Sequence, residues 1–143
     1  MIGLRGYAQN LILIWILNLL KKLNKEKKLA YIFISHNIHV VNYICDRVGV
    51  MYCGKLVEIG PKALVRENPA HPYTRSLFRS IPSIDAAFRQ KRVKLKGEIP
   101  DPTNPPTGCR FHPRCPQAQD ICRTKITHLA EISPNHFVAC HLS

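Results

Sequence analysis

Four cysteines near the C-terminus, Cys109, Cys115, Cys122 and Cys140, are spaced C-x5-C-x6-C-x17-C. Thiolates are soft ligands and suit iron–sulfur clusters or Zn2+. The spacing is not the C-x2-C pairing of a zinc ribbon. The segment that carries it is nevertheless short, rich in proline and only weakly apolar, so something besides a core must hold it together. A bound metal does this by contributing folding free energy directly. Iron–sulfur cluster, zinc and unligated thiols all stay open on the residues alone. His112 and His141 flank the set as substitute ligands and are otherwise read as surface residues. The second candidate is His36, which follows "AYIFI", Ala30 to Ile34. That run is apolar throughout, as a strand covered on both faces would be. In an open α/β sheet, ligands sit beyond the carboxyl ends of the strands. A histidine there can donate to a terminal phosphate oxygen, most effectively in a dry site. The plainer reading is a solvent-facing residue at a strand–helix junction.

The chain around these residues has 143 positions, enough for one ordinary domain with a core. Its apolar content of 45% argues against a disordered chain. Lys and Arg number 21 against 9 Asp and Glu, a balance that favours anionic partners without choosing among them. Much of the excess sits in "KKLNKEKK", Lys21 to Lys28, and "RQKRVKLK", Arg89 to Lys96. Both read as solvated helix end or linker, and neither is interleaved with the aromatics that base stacking needs, which disfavours nucleic acid. The apolar run Leu11 to Leu17 is too short to span a bilayer at about 20 residues per crossing. Arg5 precedes it as in a signal peptide, but no small-x-small site follows, so it is read as a buried helix of a cytosolic protein. Six cysteines in that compartment are thiols or metal ligands rather than disulfides.

Periodicity gives the elements. Ile16 to Lys28 predicts an amphipathic helix with Leu13, Ile16, Leu20 and Leu23 on one stripe and lysines elsewhere. After "AYIFI" comes a short helix in "NIHVVNYICDR", with Ile38, Val41 and Ile44 or Cys45 facing in and Ser35 as its cap. "RVGVMY" and "KLVEIG" are strand-like and separated only by Cys53-Gly54, the spacing of a hairpin. Pro61 opens the next helix in "PKALVREN", and Pro72 another that runs to about Ser80. This order points to α/β. From Pro82 to Gly108, five prolines and the second basic run predict a linker or a surface-lying arm. Cys45 and Cys53 are read as small core or turn residues.

With these elements in place, "YIFISHNIHVVNYICDRVGVMYCGKLVEIG" resembles the end of the nucleotide-binding subunit of an ABC transporter. "ENPAHPYTRSLFRSIP", "LKGEIPDPTNPPTGCRFHPRCPQAQDIC" and the closing "HFVACHL" are similar to the C-terminal extension of ATP-binding subunits of oligopeptide/dipeptide importers. The resemblance runs from about Ile16 to Leu142 and is carried most specifically by "HPYTRSL" and "GCRFHPRCP". It implies a remnant of a P-loop ABC ATPase sheet over residues 1–61, with one buried strand, helices and a hairpin. Residues 62–143 would then be the Pro-rich, four-cysteine extension. It implies that His36 is the switch histidine sensing the γ-phosphate of ATP, with Asn37 where the family has Asp. It also implies that Cys109, Cys115, Cys122 and Cys140 hold a structural four-iron, four-sulfur (4Fe–4S) cluster. ATP with Mg2+, a second ATP-binding subunit, permease subunits and a place on the inner face of the cell membrane follow for the intact relative. The arm from Arg89 to Gly97 would lie near the partner subunit or the anionic leaflet. Tyr73 and Arg75 either dock a partner or pack the extension onto the ATPase core, and the latter is favoured.

The 143 residues contain no Gly-rich loop ending in Lys-Ser/Thr, no signature motif and no strand with the Mg2+-linked Asp and catalytic Glu. Positioning and charge neutralisation are nearly all of phosphoryl-transfer catalysis, so a lone histidine is expected to be inert. The expectation is a truncated or frameshifted C-terminal piece without ATPase activity of its own. The alternative from another class is a free-standing, metal-stabilised binding module, for which nucleic acid is the ligand that charge suggests. A third is a poorly folded product that exposes the Leu11 to Leu20 helix and aggregates.

Overall fold

The computed structural model describes residues 3–80, 97–98, 100–101 and 103–143, with side chains from Ile12 onward. The basic run from Arg89 to Lys96, and most of the Pro82 to Gly108 stretch, lie outside the described residues. The chain divides into two compact units, Met1–Cys45 and Asp46–Ser143.

The first unit is built from α1 (Gly3–Lys27) and α2 (Ile38–Ile44). Lys25 and Lys27 fill the last turn of α1, where cations complement the carbonyl end of the helix dipole. Leu17 is the buried residue of its apolar run, with Leu13, Leu20 and Leu23 half-buried beside it. Ile12, Ile14, Trp15 and Ile16 are exposed, which corrects the expectation of a buried helix and moves the inward stripe from Ile16 to Leu17. The seven residues of α2 present too little surface to cover the whole apolar run. What they do meet is specific: Tyr43 hydroxyl donates to Asn18 Oδ1, and the Lys21 ammonium lies 3.9 Å from the Tyr43 ring centre. Among the described residues, no helix is long and apolar enough to cross a membrane.

The buried strand expected at Ala30 to Ile34 is absent. These residues form no ladder, and Ile32 and Ile34 are 95% and 93% exposed. A strand of this composition is stabilised by neighbours on both edges and by layers on both faces, and the unit supplies neither. The cap of α2 is also reassigned. Asn37 Oδ1 accepts from the His39 and Val40 amides, while Ser35 Oγ accepts from the Asn37 amide one step earlier.

The second unit holds a four-stranded antiparallel sheet of order β1-β2-β4-β3, formed by β1 (Arg47–Tyr52), β2 (Lys55–Pro61), β3 (Ala130–Ser133) and β4 (His136–Val138). The β1–β2 hairpin is the one expected from sequence. Its turn residues Cys53 and Gly54 have φ of 44° and 74°, the left-handed pair that a tight hairpin with native twist requires. Val48, Val50 and Tyr52 alternate into the core along β1. On β2 the alternation breaks, because Val50 pairs with Glu58 while Met51 pairs with Leu56. The extra residue, Val57, makes a bulge, and the bulge turns both Val57 and Glu58 inward. Between the two hairpins, the described residues form α3 (Lys62–Glu67), α4 (Pro72–Arg79), a 3-10 turn at His112–Arg114 and α5 (Asp120–Thr124). Pro61 and Pro72 stand at the helix starts as predicted. The β3–β4 hairpin was not predicted. Its turn is Pro134 followed by Asn135 at φ 61°, a pattern that favours a tight turn.

Candidate metal centre and the aromatic wedge beside it

The cysteine-bearing segment is held to the sheet by a buried polar knot. Glu58 is fully buried on β2, and its carboxylate takes three hydrogen bonds. The amides of Ala70 and His71 donate to Oε1 and Oε2, both at 2.9 Å, and His136 Nε2 donates to Oε1 at 2.8 Å. One side chain thus ties β2 to the start of α4 and to β4. Gly60 makes room for this, since a Cβ there would sit 2.9 Å from His136 Cδ2. His71 is 1% exposed, and its Nδ1 accepts from the Tyr73 amide to cap α4. Burial holds its pKa down at about 4, partly offset by the nearby Glu58 carboxylate. A neutral imidazole is what the cap needs, because a protonated Nδ1 could not accept.

Above this knot, Phe111 is wedged among aromatic rings. Its centroid lies 5.1 Å from Tyr52 in an edge-on arrangement, 5.4 Å from Tyr73 and 5.7 Å from His71. Tyr73, expected either to dock a partner or to pack the extension, stacks 4.7 Å from Tyr52 and so packs. Arg75 Nε donates to the Pro69 carbonyl at 2.8 Å and braces the turn into α4. Burial raises the pKa of both Tyr52 and Tyr73, with Arg114 close enough to oppose the rise at each.

Phe111 belongs to the loop between Cys109 and Cys115, so the wedge places the thiols. Gly108 precedes the loop at φ 69°, and a Cβ there would meet the Cys122 carbonyl oxygen at 2.5 Å. That close approach lets the Cys109 amide donate to the Cys122 carbonyl at 2.8 Å. The Cys140 position follows from β4, whose next residue, Ala139, donates to the Val57 carbonyl at 2.8 Å. Cys109 and Cys122 are buried, Cys115 and Cys140 half-buried, and none of the six cysteines is in a disulfide.

Burial first, then charge on Cys122 and Cys140, raises the pKa of Cys109. Cys115 is raised by burial and by all three of the other thiols. Cys140 is raised by burial and by Cys122, with Arg75 pulling the other way. Backbone amides are aimed at the sulfurs: Phe111 and His112 at Cys109, Gln117 at Cys115, Leu142 and Ser143 at Cys140. The Leu142 nitrogen stands 3.4 Å from Cys140 Sγ. Amide donors to sulfur stabilise thiolate and tune thiolate-bound metal centres. Among the described residues, no group of three or more His, Cys, Asp or Glu side chains is placed to hold a metal ion. His112 and His141 are engaged elsewhere: His112 Nδ1 donates to the Cys109 carbonyl and His141 Nε2 to the Lys125 carbonyl, both at 2.9 Å.

His36 lies in the first unit, exposed at a bend just ahead of α2. The residues that sequence reasoning missed are Glu58, His71 and His136, scattered over 78 positions. Only the acid on an otherwise apolar strand and the His before Pro72 gave any signal.

Residues 57–122, from the β2 bulge to Cys122, match the family model described as "Oligopeptide/dipeptide transporter, C-terminal region". The chain is 49% identical over 129 residues to "Oligopeptide transport ATP-binding protein AppF" of Bacillus subtilis, a match covering 89% of this chain and 39% of that protein. It is 48% identical over 125 residues to "Putative peptide import ATP-binding protein BOV_A0347" of Brucella ovis, covering 87% and 39%. The chain therefore spans about two fifths of the length of the curated relatives it matches. By sequence, residues 57–122 resemble the C-terminal region of oligopeptide/dipeptide transporters, and the chain as a whole is similar to part of peptide ABC transporter ATP-binding proteins.

Proposed function

We propose that this chain serves in ATP-driven peptide import, as the C-terminal part of the ATP-binding component. The observation that carries the proposal is the match over residues 57–122 together with 49% identity to an oligopeptide transport ATP-binding protein. In that setting the component works with a second ATP-binding subunit and with permease subunits, peripherally on the cytoplasmic face of the membrane. ATP and Mg2+ belong to the intact component, where His36 is the histidine that senses the γ-phosphate. In the 143 residues alone, no phosphate-binding loop is present to position a nucleotide, so the purified chain is expected not to turn over ATP. ATP turnover lost on His36→Ala would overturn this.

Cys109, Cys115, Cys122 and Cys140 form a structural thiolate site, for a 4Fe–4S cluster in first place and Zn2+ in second. What supports it is the four-thiol set itself, the amides aimed at the Cys109, Cys115 and Cys140 sulfurs, and burial that disfavours free thiolates. Bound metal would supply the positive charge that lets these thiols ionise and would close the loop–helix–tail junction. Anaerobic purification with iron, sulfide and zinc analysis tests it. Brown protein with stoichiometric iron, lost in Cys122→Ser, is the expected result. Colourless, zinc-free protein with four reactive thiols would refute it.

A further inference from the structure

Apolar and basic residues of the first unit are segregated along α1 rather than around it. Ile12, Trp15, Ile16 and Leu19 recur at the i, i+3, i+4, i+7 spacing of one helix face, and all four are exposed, Trp15 at 67%. Ile14, on the opposite side of the helix, is exposed as well. Within the next turn the composition changes to "KKLNKEKK", Lys21 to Lys28, whose lysines are all exposed. The acid of that run, Glu26, lies 3.8 Å from Lys22, and Lys21 lies over the Tyr43 ring. Lys25, Lys27 and Lys28 pair with no carboxylate among the described residues. Beyond the lysines, Ile32 and Ile34 stand out in solvent again. An ordinary surface helix keeps its apolar side covered, whereas here a cluster of cations is bracketed by bare aliphatic and indole surface.

We propose that α1 is an interfacial anchor for a bilayer rich in anionic lipid, with its Ile12–Leu19 half dipped below the headgroups and Lys21–Lys28 on the lipid phosphates. The charge of the run complements an anionic leaflet, and a lipid surface offers an apolar phase directly beneath that charge. From Ile12 to Leu19 the helix rises about 10 Å, which matches the roughly 5–10 Å depth of interfacial helices and is far short of the about 30 Å core of a bilayer. Segregation along the axis sets the tilt: the apolar half goes in and the basic half stays at headgroup level. A tilted entry covers Ile14 as well as the face opposite it. Trp15 is a side chain that settles at a membrane interface, and lysine stems can lie along apolar surface while their ammonium groups reach phosphate. Nucleic acid would satisfy the lysines but leave the aliphatic side chains in water. A second copy brings its own formal charge of +12, which opposes pairing. Four side chains on two turns also bury far less than the roughly 800 Å² per partner of a stable interface. The anchor does not depend on the peptide-import reading; it gives the chain a hold on lipid that needs no permease subunit.

Trp15 is the single tryptophan of the chain, so its emission reports this contact and no other. The full chain is titrated with vesicles of about three parts phosphatidylcholine to one of phosphatidylserine, and with phosphatidylcholine alone. Anionic vesicles are expected to move Trp15 emission to shorter wavelength and to cut its quenching by acrylamide about threefold. Neutral vesicles should bind about tenfold more weakly, and raising salt from about 0.1 M to about 0.5 M should weaken anionic binding by a similar factor. Lys25→Gln combined with Lys28→Gln changes two exposed side chains, so the fold should survive by circular dichroism while affinity for anionic vesicles falls about tenfold. Ile12→Ser should weaken binding about fivefold without altering its salt dependence. Vesicle binding that leaves Trp15 emission in place, equal affinity for neutral vesicles, or a lysine variant that binds like the parent overturns the anchor. So does a shift of emission that follows protein concentration without lipid, which would assign the face to a second copy. None of these outcomes bears on the peptide-import reading.

Discussion

Acidification should weaken the second unit through a single imidazole. His71 has its pKa held at about 4 in the folded chain, against an ordinary 6.5, chiefly because burial disfavours the charged ring. The sign follows from which state binds the proton. Above pH 6.5 both states are neutral and His71 contributes no pH dependence. Between pH 6.5 and about 4 the unfolded chain takes up a proton that the folded chain refuses, so stability falls as pH falls. The full loss approaches about 3 kcal/mol, a large part of the roughly 5–15 kcal/mol typical of a small domain. Protonation would also remove the acceptor that caps α4 at the Tyr73 amide. The assay is urea unfolding of the chain and of His71→Asn at several pH values, followed by tyrosine fluorescence. Asn keeps a side-chain acceptor suited to the cap position but does not titrate. The parent should lose about 3 kcal/mol relative to the variant between pH 6.5 and 4. Parallel pH profiles, or a His71 ring proton that titrates in the ordinary histidine range by NMR, would refute the reasoning.

Three other outcomes are expected. Glu58→Ala strands the Ala70 and His71 amides and the His136 ring in a buried site, and should cost about 3–5 kcal/mol in urea unfolding. Gly108→Ala meets both a left-handed backbone and the Cys122 carbonyl, so it should destabilise by about 2 kcal/mol and speed thiol modification of Cys109 and Cys122. Gly60→Ala should push the His136 ring off Glu58 and approach the cost of the Glu58 truncation, read by the same unfolding curve.

Local rules settled the parts of this protein that depend on neighbours in sequence. Two residues between alternating runs defined the β1–β2 hairpin, prolines marked the starts of α3 and α4, and thiol spacing singled out Cys109, Cys115, Cys122 and Cys140. The quoted runs were also sufficient to point to the transporter family. Where a conclusion depended on partners, local pattern was not enough. "AYIFI" has the composition of a buried strand but becomes one only when other strands flank it, and here Ile32 and Ile34 face solvent. Trp15 and its neighbours satisfy a helical period yet find too little surface in their own unit to cover them.

Tertiary structure alone decided the centre of the second unit. No periodicity announces that Glu58 will be fully buried, because its inward turn comes from the bulge at Val57 and its solvation from amides of Ala70 and His71 and a ring 78 positions away. A carboxylate on a strand is ordinarily a solvent-facing residue, and only three donors, two from the turn into α4 and one from β4, make its burial tolerable. The same holds for the four thiols. Their type is written in the chain, but their placement is set by Phe111 wedged against Tyr52, Gly108 lying against Cys122 and β4 leading into Cys140.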